Sequence, residues 1–193
     1  MRVGLDMDGV LSDFVTGFEK LLAKIAGIAP LDFTHTYPSI WHWEKERYTS
    51  EQVEAGWDHI KSTFFWQSLP ELSNMYYLRT VWPRIRFDRH DLYFITNRPG
   101  VYAKGQTEDW LREHLELDQY AKTPTVLLAS EKGHAARALD LDLYIDDKPG
   151  NIIDVRTLSP RTAVYLQDRP YNQDFPYGIR VKTIESLLAK LIE

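Results

Sequence analysis

The chain contains no cysteine, which excludes disulfides, thiolate zinc sites and a cysteine nucleophile and favours a reducing, cytoplasmic setting. It also lacks an excess of positive charge: 23 Lys and Arg face 28 Asp and Glu, for a formal net charge of −5. A nucleic-acid polymer is held mainly by many cationic contacts to phosphate, so no polymer partner is expected. A small anionic ligand would need only one local positive site. Charges interrupt every apolar run well short of the ~20 residues of a membrane span, and no membrane association is expected. Met1 leads almost directly into the first apolar run, leaving no room for a signal peptide. The six histidines are isolated, without His-x-His or His-x-x-x-His spacing, so none is read as a metal ligand. His134 stands nearest to the chemistry described below and is assigned a solvent or helix-end role.

What is present is enough for one sizeable core plus a modest accessory domain, with 193 residues at 44% hydrophobic content. The opening run Val3-Gly4-Leu5 reads as a buried strand that ends in Asp6 and Asp8, with Gly9 next. Ligands of open α/β sheets bind beyond the carboxyl ends of the strands, which is where these two acids would emerge. One carboxylate can attack phosphorus, and another two residues on can protonate the leaving oxygen and later deprotonate a water. The fragment alone would serve equally well as a turn or helix cap.

Three later segments supply what such a site needs. The run Leu92-Tyr93-Phe94-Ile95 ends in Thr96, whose hydroxyl could bond a phosphate oxygen together with nearby backbone N–H groups, and in Asn97, a candidate substrate contact. A third run, Val126-Leu127-Leu128, is followed by Lys132, whose point charge could neutralise phosphate or steady the nucleophile. A fourth, Leu141 to Ile145, ends in Asp146 and Asp147. Adjacent acids repel unless a cation sits beside them.

In this order the four segments resemble the four motifs of the haloacid dehalogenase superfamily, and Asp6-Met7-Asp8-Gly9-Val10-Leu11-Ser12-Asp13-Phe14 is similar to the opening of the 5'(3')-deoxyribonucleotidases. The resemblance implies an α/β fold, a Rossmann-like parallel sheet with helices on both faces and a small helical cap inserted after the first strand. It implies a Mg2+-dependent phosphomonoesterase for nucleoside monophosphates that works through an aspartyl phosphate. Asp6 would be the nucleophile and Asp8 the acid/base, with Thr96 and Lys132 holding phosphate. The metal would be held by Asp6, by the Asp8 backbone carbonyl and by Asp147, with Asp146 in support. Lys148 and Arg98 are candidates for further positive charge at the substrate, Arg98 being equally open to a surface reading. After Thr96 the family pattern has Ser-Pro, whereas this chain has Asn97-Arg98-Pro99-Gly100. A small phosphate ester is thus the expected partner, and a homodimer is compatible with the sequence.

The chain is divided into a core of residues 1–14 and 88–193 and a cap of residues 15–87. A helix capped by Asp13 is expected to carry Phe14, Phe18, Leu21, Leu22 and Ile25 on one face up to Gly27. A second starts at Thr49 or Ser50 with Val53, Trp57, Ile60 and Phe64 buried, and a third runs from a Ser73 cap to near Pro83. Further helices are expected at Gln106 to Leu117, Gly133 to Leu139 and Thr183 to Ile192, with strands at Thr162 to Leu166 and Ile179 to Val181. Five of the six tryptophans lie between Trp41 and Trp82. Aromatic faces hold a nucleobase by stacking, and they also fill a small cap's own core. By resemblance to the Phe-Phe-aromatic segment of the deoxyribonucleotidases, Phe65 and Trp66 are the first-choice base contacts, followed by Phe18 and Trp41. A phosphatase of sugar phosphates or other small metabolites would use the same four motifs; a nucleic-acid end phosphatase or a catalytically inactive binding protein are more distant readings. Near the end, Asn172 either approaches the site or is a turn residue.

Overall fold

The computed structural model describes residues 1–33, 37–87, 90–116, 124–189 and 191. Its centre is a six-stranded, all-parallel sheet of β1 (Arg2–Leu5), β2 (Asp91–Thr96), β3 (Thr125–Leu128), β4 (Leu143–Asp146), β5 (Ala163–Gln167) and β6 (Ile179–Val181), in the order β3-β2-β1-β4-β5-β6. Parallel strands are covered on both faces and so read as continuous apolar runs whose side chains alternate between two cores. Val3, Leu5, Phe94, Leu143 and Ile145 face one cluster, whereas Ile95 and Tyr144 face the other. Gly4 shares the second face, where a Cβ would come within 2.8 Å of the Tyr144 ring.

Against the first face pack α3 (Met75–Phe87), α4 (Ala103–Leu115) and α7 (Ile184–Ala189), and against the second α5 (Lys132–Ala138) and α6 (Pro149–Leu158). The strand order reverses at β1, so the crevice at the carboxyl ends of β1, β2 and β4 is the switch point of a doubly wound sheet. Helix α6 falls in a stretch to which no element had been assigned from the sequence. Its signal is Pro149 at the first helical position, where the missing N–H costs nothing. Helices α4 and α7 end short of Leu117 and Ile192, and those two residues lie outside the described part of the chain.

The chain leaves the core after β1 and returns side by side with itself. Asp13 N–H donates to Pro70 O at 2.8 Å, and Leu72 N–H donates to Leu11 O at 2.8 Å. Between these points lie α1 (Phe14–Ala26), α2 (Ser50–Ser62) and short 3-10 turns at Trp43–Glu46 and Trp66–Ser68, with their own apolar cluster around Phe18, Leu22, Trp43, Ile60 and Trp66. Asp13 caps α1 by accepting from Thr16 N–H, and Gly27 ends it at φ 68°. Thr49 and Gln52 form a reciprocal capping box on α2.

Three expectations about this region change. Phe64 lies beyond the end of α2 and is 68% exposed, its ring stacked on Tyr102 of the core. Helix α3 is capped by Asn74, which accepts from Tyr77 N–H at 3.0 Å, while the Ser73 hydroxyl donates to Val10 O. The helix passes through Pro83 and ends at Phe87, because Met75, Leu78, Val81, Trp82 and Ile85 are buried under the sheet and outweigh the lost backbone bond. We therefore propose that the cap spans the excursion from Asp13 to Pro70 and that α3 goes with the core.

The cap segment that follows α1 is anchored by a buried acid. Glu19 accepts from Leu31 N–H at 2.7 Å and from the Tyr48 hydroxyl at 2.8 Å, with Arg47 Nε 3.6 Å away. Among the described residues, its second oxygen, Oε2, has no hydrogen-bond partner. Burial together with the Glu19 contact pushes the Tyr48 hydroxyl up to about 12, which keeps it a donor. Glu19→Ala would strand these groups, and chemical denaturation should show a loss of about 2–3 kcal/mol; an unchanged midpoint would mean the anchor is dispensable.

Candidate active site

The expected site is assembled at the switch point. After β1 the chain turns so that Met7 O accepts from Leu11 N–H at 2.8 Å and Ser12 N–H at 2.9 Å, with Gly9 at φ 83°. Glycine is required there twice over: its φ is left-handed, and a Cβ would run into the Asp147 carboxylate. Asp6, Asp146 and Asp147 are buried, and they offer carboxylate oxygens that all lie within 4.8 Å of one another. Lys132, at the start of α5, donates to Asp6 Oδ1 at 2.9 Å and to Ile95 O. Its placement depends on a close approach of α5 to α6. A Cβ on Gly133 would meet Asp154 O at 2.5 Å, and the Asp154 carboxylate accepts from Gly133 N–H at 2.6 Å.

One lysine does not balance three buried acids. Burial, then Asp146, raises Asp6 to about 7 against the pull of Lys132. The same two causes in the same order hold Asp147 well above the usual carboxylate range. Oxygen-only donors, charge excess and burial together fit a hard divalent cation.

The two neighbouring acids differ in how they are held. Asp146 Oδ1 accepts from Lys148 N–H at 2.8 Å, and its Oδ2 accepts from Asn151 Nδ2 at 2.8 Å and from the Tyr144 hydroxyl. Asp147 Oδ2 accepts from the Tyr171 hydroxyl, and no donor among the described residues reaches its Oδ1. Burial first, then the charge of Asp147, raises the Tyr171 hydroxyl and keeps it protonated. Asn172 is buried and donates to Asp147 O and Gln167 O, each at 2.8 Å, so it fixes the backbone beneath the site.

Asp8 sits apart from the acid triad. Its Oδ1 accepts from Ser12 Oγ at 2.9 Å and Arg98 Nη2 at 2.6 Å, and its Oδ2 accepts from Arg98 Nε at 2.9 Å and Thr96 Oγ1 at 3.4 Å. Arg98 is 3% exposed, so the surface reading of this residue is overturned: the side chain turns inward because Asp8, Ser12 and Thr107 take its donors. His134 is solvent-exposed beside Glu131.

Above the acids opens a cavity of about 420 Å3, lined by Asp6, Asp8, Thr96, Asn97, Lys132, Asp147 and Lys148 from the core and by aromatic residues from the cap. One cap wall is Phe14, Phe18, Trp57 and Trp66, with Phe14 stacked on Phe18 at 5.1 Å and on Trp57 at 5.7 Å. A second aromatic wall is Tyr37 and Trp41 with Tyr171 of the core, and Lys148 Nζ is 5.2 Å from the Trp41 ring centre. Phe65 is buried in the cap cluster and is not among the lining residues. Trp66 lines the cavity while 2% exposed, its ring lying against Phe14 and over the Arg98 guanidinium. Phe14, Tyr37, Trp57 and Tyr171 had not been singled out from sequence. Only Phe14 and Trp57 carried a signal, as members of amphipathic helix faces that read equally as core.

The chain resembles known proteins in sequence and in fold. The family model "5' nucleotidase, deoxy (Pyrimidine), cytosolic type C protein" matches residues 1–191. A protein of Oceanobacillus iheyensis named "Putative nucleotidase" is 36% identical over 87 residues, and the match spans 44% of each chain. Two solved structures share the fold. One, a "putative haloacid dehalogenase-like hydrolase" of Burkholderia xenovorans, has a TM-score of 0.59 at 12% identity over 100% of this chain and 98% of that one. The other, a "putative beta-phosphoglucomutase" of Thermotoga maritima, has a TM-score of 0.55 at 14% identity over 98% and 97%. With the family match running almost end to end, the chain belongs to the family of 5' nucleotidase, deoxy (pyrimidine), cytosolic type C proteins, on a haloacid dehalogenase-like fold.

Proposed function

We propose that the protein hydrolyses nucleoside monophosphates, deoxyribonucleotides foremost, through a phosphoryl group carried on Asp6. The observation that carries this reading is a cavity lined both by buried Asp6, with Lys132 on one oxygen, and by two aromatic walls. A phosphate on the acid end would leave the rest of a mononucleotide between those walls.

In this mechanism Asp6 attacks phosphorus with Oδ2, since Lys132 occupies Oδ1 and holds the carboxylate in one orientation. Lys132, the Thr96 hydroxyl and Asn97 take up charge on the phosphate oxygens. Asp8 gives a proton to the sugar oxygen as the P–O bond breaks, and takes one from the water that later attacks the phosphorylated Asp6. Asp6 and Asp147 Oδ1 would hold a Mg2+ ion together with the Asp8 backbone carbonyl, while Asp146, its oxygens occupied by Tyr144, Asn151 and Lys148, keeps the cluster in place. The cation, when bound, offsets charge on the transferring phosphoryl group. The cap walls exclude water from the site.

Phosphate release from a panel of ribo- and deoxyribonucleoside monophosphates and sugar phosphates, with magnesium and with chelator, tests this reading. Turnover of nucleotides in magnesium is expected; a preference for sugar phosphates would replace nucleotides as the substrate class. Stacking on an aromatic face contributes about 1–3 kcal/mol. Trp57→Ala and Trp41→Ala should therefore each raise KM for the preferred nucleotide by roughly ten-fold, with little effect on hydrolysis of a simple sugar phosphate.

A further inference from the structure

The Arg98 side chain has no accessible surface, and it is not among the residues lining the cavity. Four of its five guanidinium N–H groups donate to protein. Nε and Nη2 bridge the two oxygens of Asp8, Nη2 also donates to Ser12 Oγ, and Nη1 donates to Thr107 Oγ1 at 3.0 Å. Ser12, itself fully buried, donates in turn to Asp8 Oδ1. The Trp66 ring covers the guanidinium at 4.9 Å, and Trp66 is tied to the core by its indole N–H to Pro99 O at 3.0 Å and its backbone N–H to Gln106 Oε1 at 2.9 Å. A bidentate pair of this kind fixes a carboxylate in its plane as well as in place.

We propose that Arg98 is a positioning residue that aims Asp8 at the leaving oxygen, with Oδ2 as the reacting atom and Trp66 as the brace that keeps the guanidinium flat against its target. The choice of oxygen follows from the partners. Oδ1 receives two close donors and is saturated, whereas Oδ2 has one close donor, Arg98 Nε, and a long contact to Oγ1 of Thr96, a residue that lines the cavity as Asp8 does. In the first half-reaction a proton leaves Asp8 Oδ2 for the sugar oxygen while the bond from phosphorus to that oxygen breaks and a bond from phosphorus to Asp6 forms. In the second, the attacking water gives its proton back to Oδ2. The inference rests on the functional reading above and adds to it a residue that touches neither phosphate nor base.

The test uses leaving groups. A sugar hydroxyl leaves only with a proton, whereas the phenolate of 4-nitrophenyl phosphate leaves without one. Arg98→Met, its fold confirmed by circular dichroism and thermal melting, should lower kcat/KM for the preferred nucleotide by on the order of 100-fold, the scale of a misplaced general acid. For 4-nitrophenyl phosphate the loss should be only a few-fold. If Arg98→Met does not fold, Arg98→Lys keeps charge and stem without bridging both oxygens and should show the same contrast in weaker form. Equal losses on both substrates, or a rise in KM alone, would make Arg98 a structural or phosphate-binding residue and overturn the inference. An unaltered protein that hydrolyses neither substrate would instead overturn the functional reading and this inference with it.

Discussion

Asp6→Asn should abolish turnover, with a fall in kcat on the order of 10^4-fold or more, while the protein keeps its fold. Removing a nucleophile that works as part of a unit costs rates of that size because no neighbouring group substitutes for it. Here the neighbours are committed elsewhere: Asp146 is held by three donors, Asp147 by the Tyr171 hydroxyl, and Asp8 by Arg98 and Ser12. The substitution removes one of three crowded buried charges, so the cation-free protein should melt no lower than the parent, and its thermal melt separates loss of chemistry from loss of structure. Substantial magnesium-dependent hydrolysis by Asp6→Asn would refute the covalent route.

The second large effect concerns pH and the cation together. Asp6 and Asp147 both have their pKa raised by burial and by Asp146, Asp6 to about 7 from an ordinary 3.8. A carboxyl that binds its proton more tightly folded than unfolded contributes stability at low pH and loses it as pH rises between the two values. Each unit of difference is worth about 1.4 kcal/mol. In chelator, melting temperature should therefore fall as pH rises from about 4 to about 7, contrary to the trend for salt-bridged acids. A divalent cation that binds the ionised triad should reverse this, so the stabilisation by added magnesium should be several degrees at pH 7.5 and much smaller at pH 5. Equal magnesium effects at both pH values, or none, would count against these three acids as the metal site. Asp147→Asn should remove most of the magnesium effect.

The contrast between what sequence disclosed and what it hid has a physical pattern. Residues that follow a strand directly were legible, because a parallel strand of four to six apolar residues has one exit and delivers its next side chains to one edge. Asp6 and Asp147 directly follow β1 and β4 and Thr96 closes β2, whereas Lys132 reaches the cavity from the start of α5, with three residues between it and β3. Elements announced by local chemistry were legible too, as with the Asp13 cap and the Thr49 to Gln52 capping box. Arg98 was ambiguous because an arginine after a strand has reach enough for solvent or interior, and only the positions of Asp8, Ser12 and Thr107 decide between them. The aromatic walls were ambiguous for a different reason. Phe18, Trp57 and Phe65 all satisfy helical or turn spacing for burial, and whether such a ring ends at a cavity or within a cluster depends on packing between elements far apart in the chain. Tyr171 gave no periodic signal, since it lies in a single 3-10 turn at Pro170–Asn172. Pro83 misled, because burial of Trp82 and Ile85 on either side of it outweighs one missing backbone bond.

The account depends on a phosphoryl group passing through Asp6. Acid quenching during turnover of the preferred deoxyribonucleotide, followed by mass spectrometry of the proteolytic fragments, reads that step directly. A phosphoryl group on the fragment that carries Asp6, absent after hydroxylamine treatment and absent in Asp6→Asn, is the predicted result. Sustained hydrolysis with no phosphoryl group on that fragment at any quench time, or with one on another residue, would contradict it.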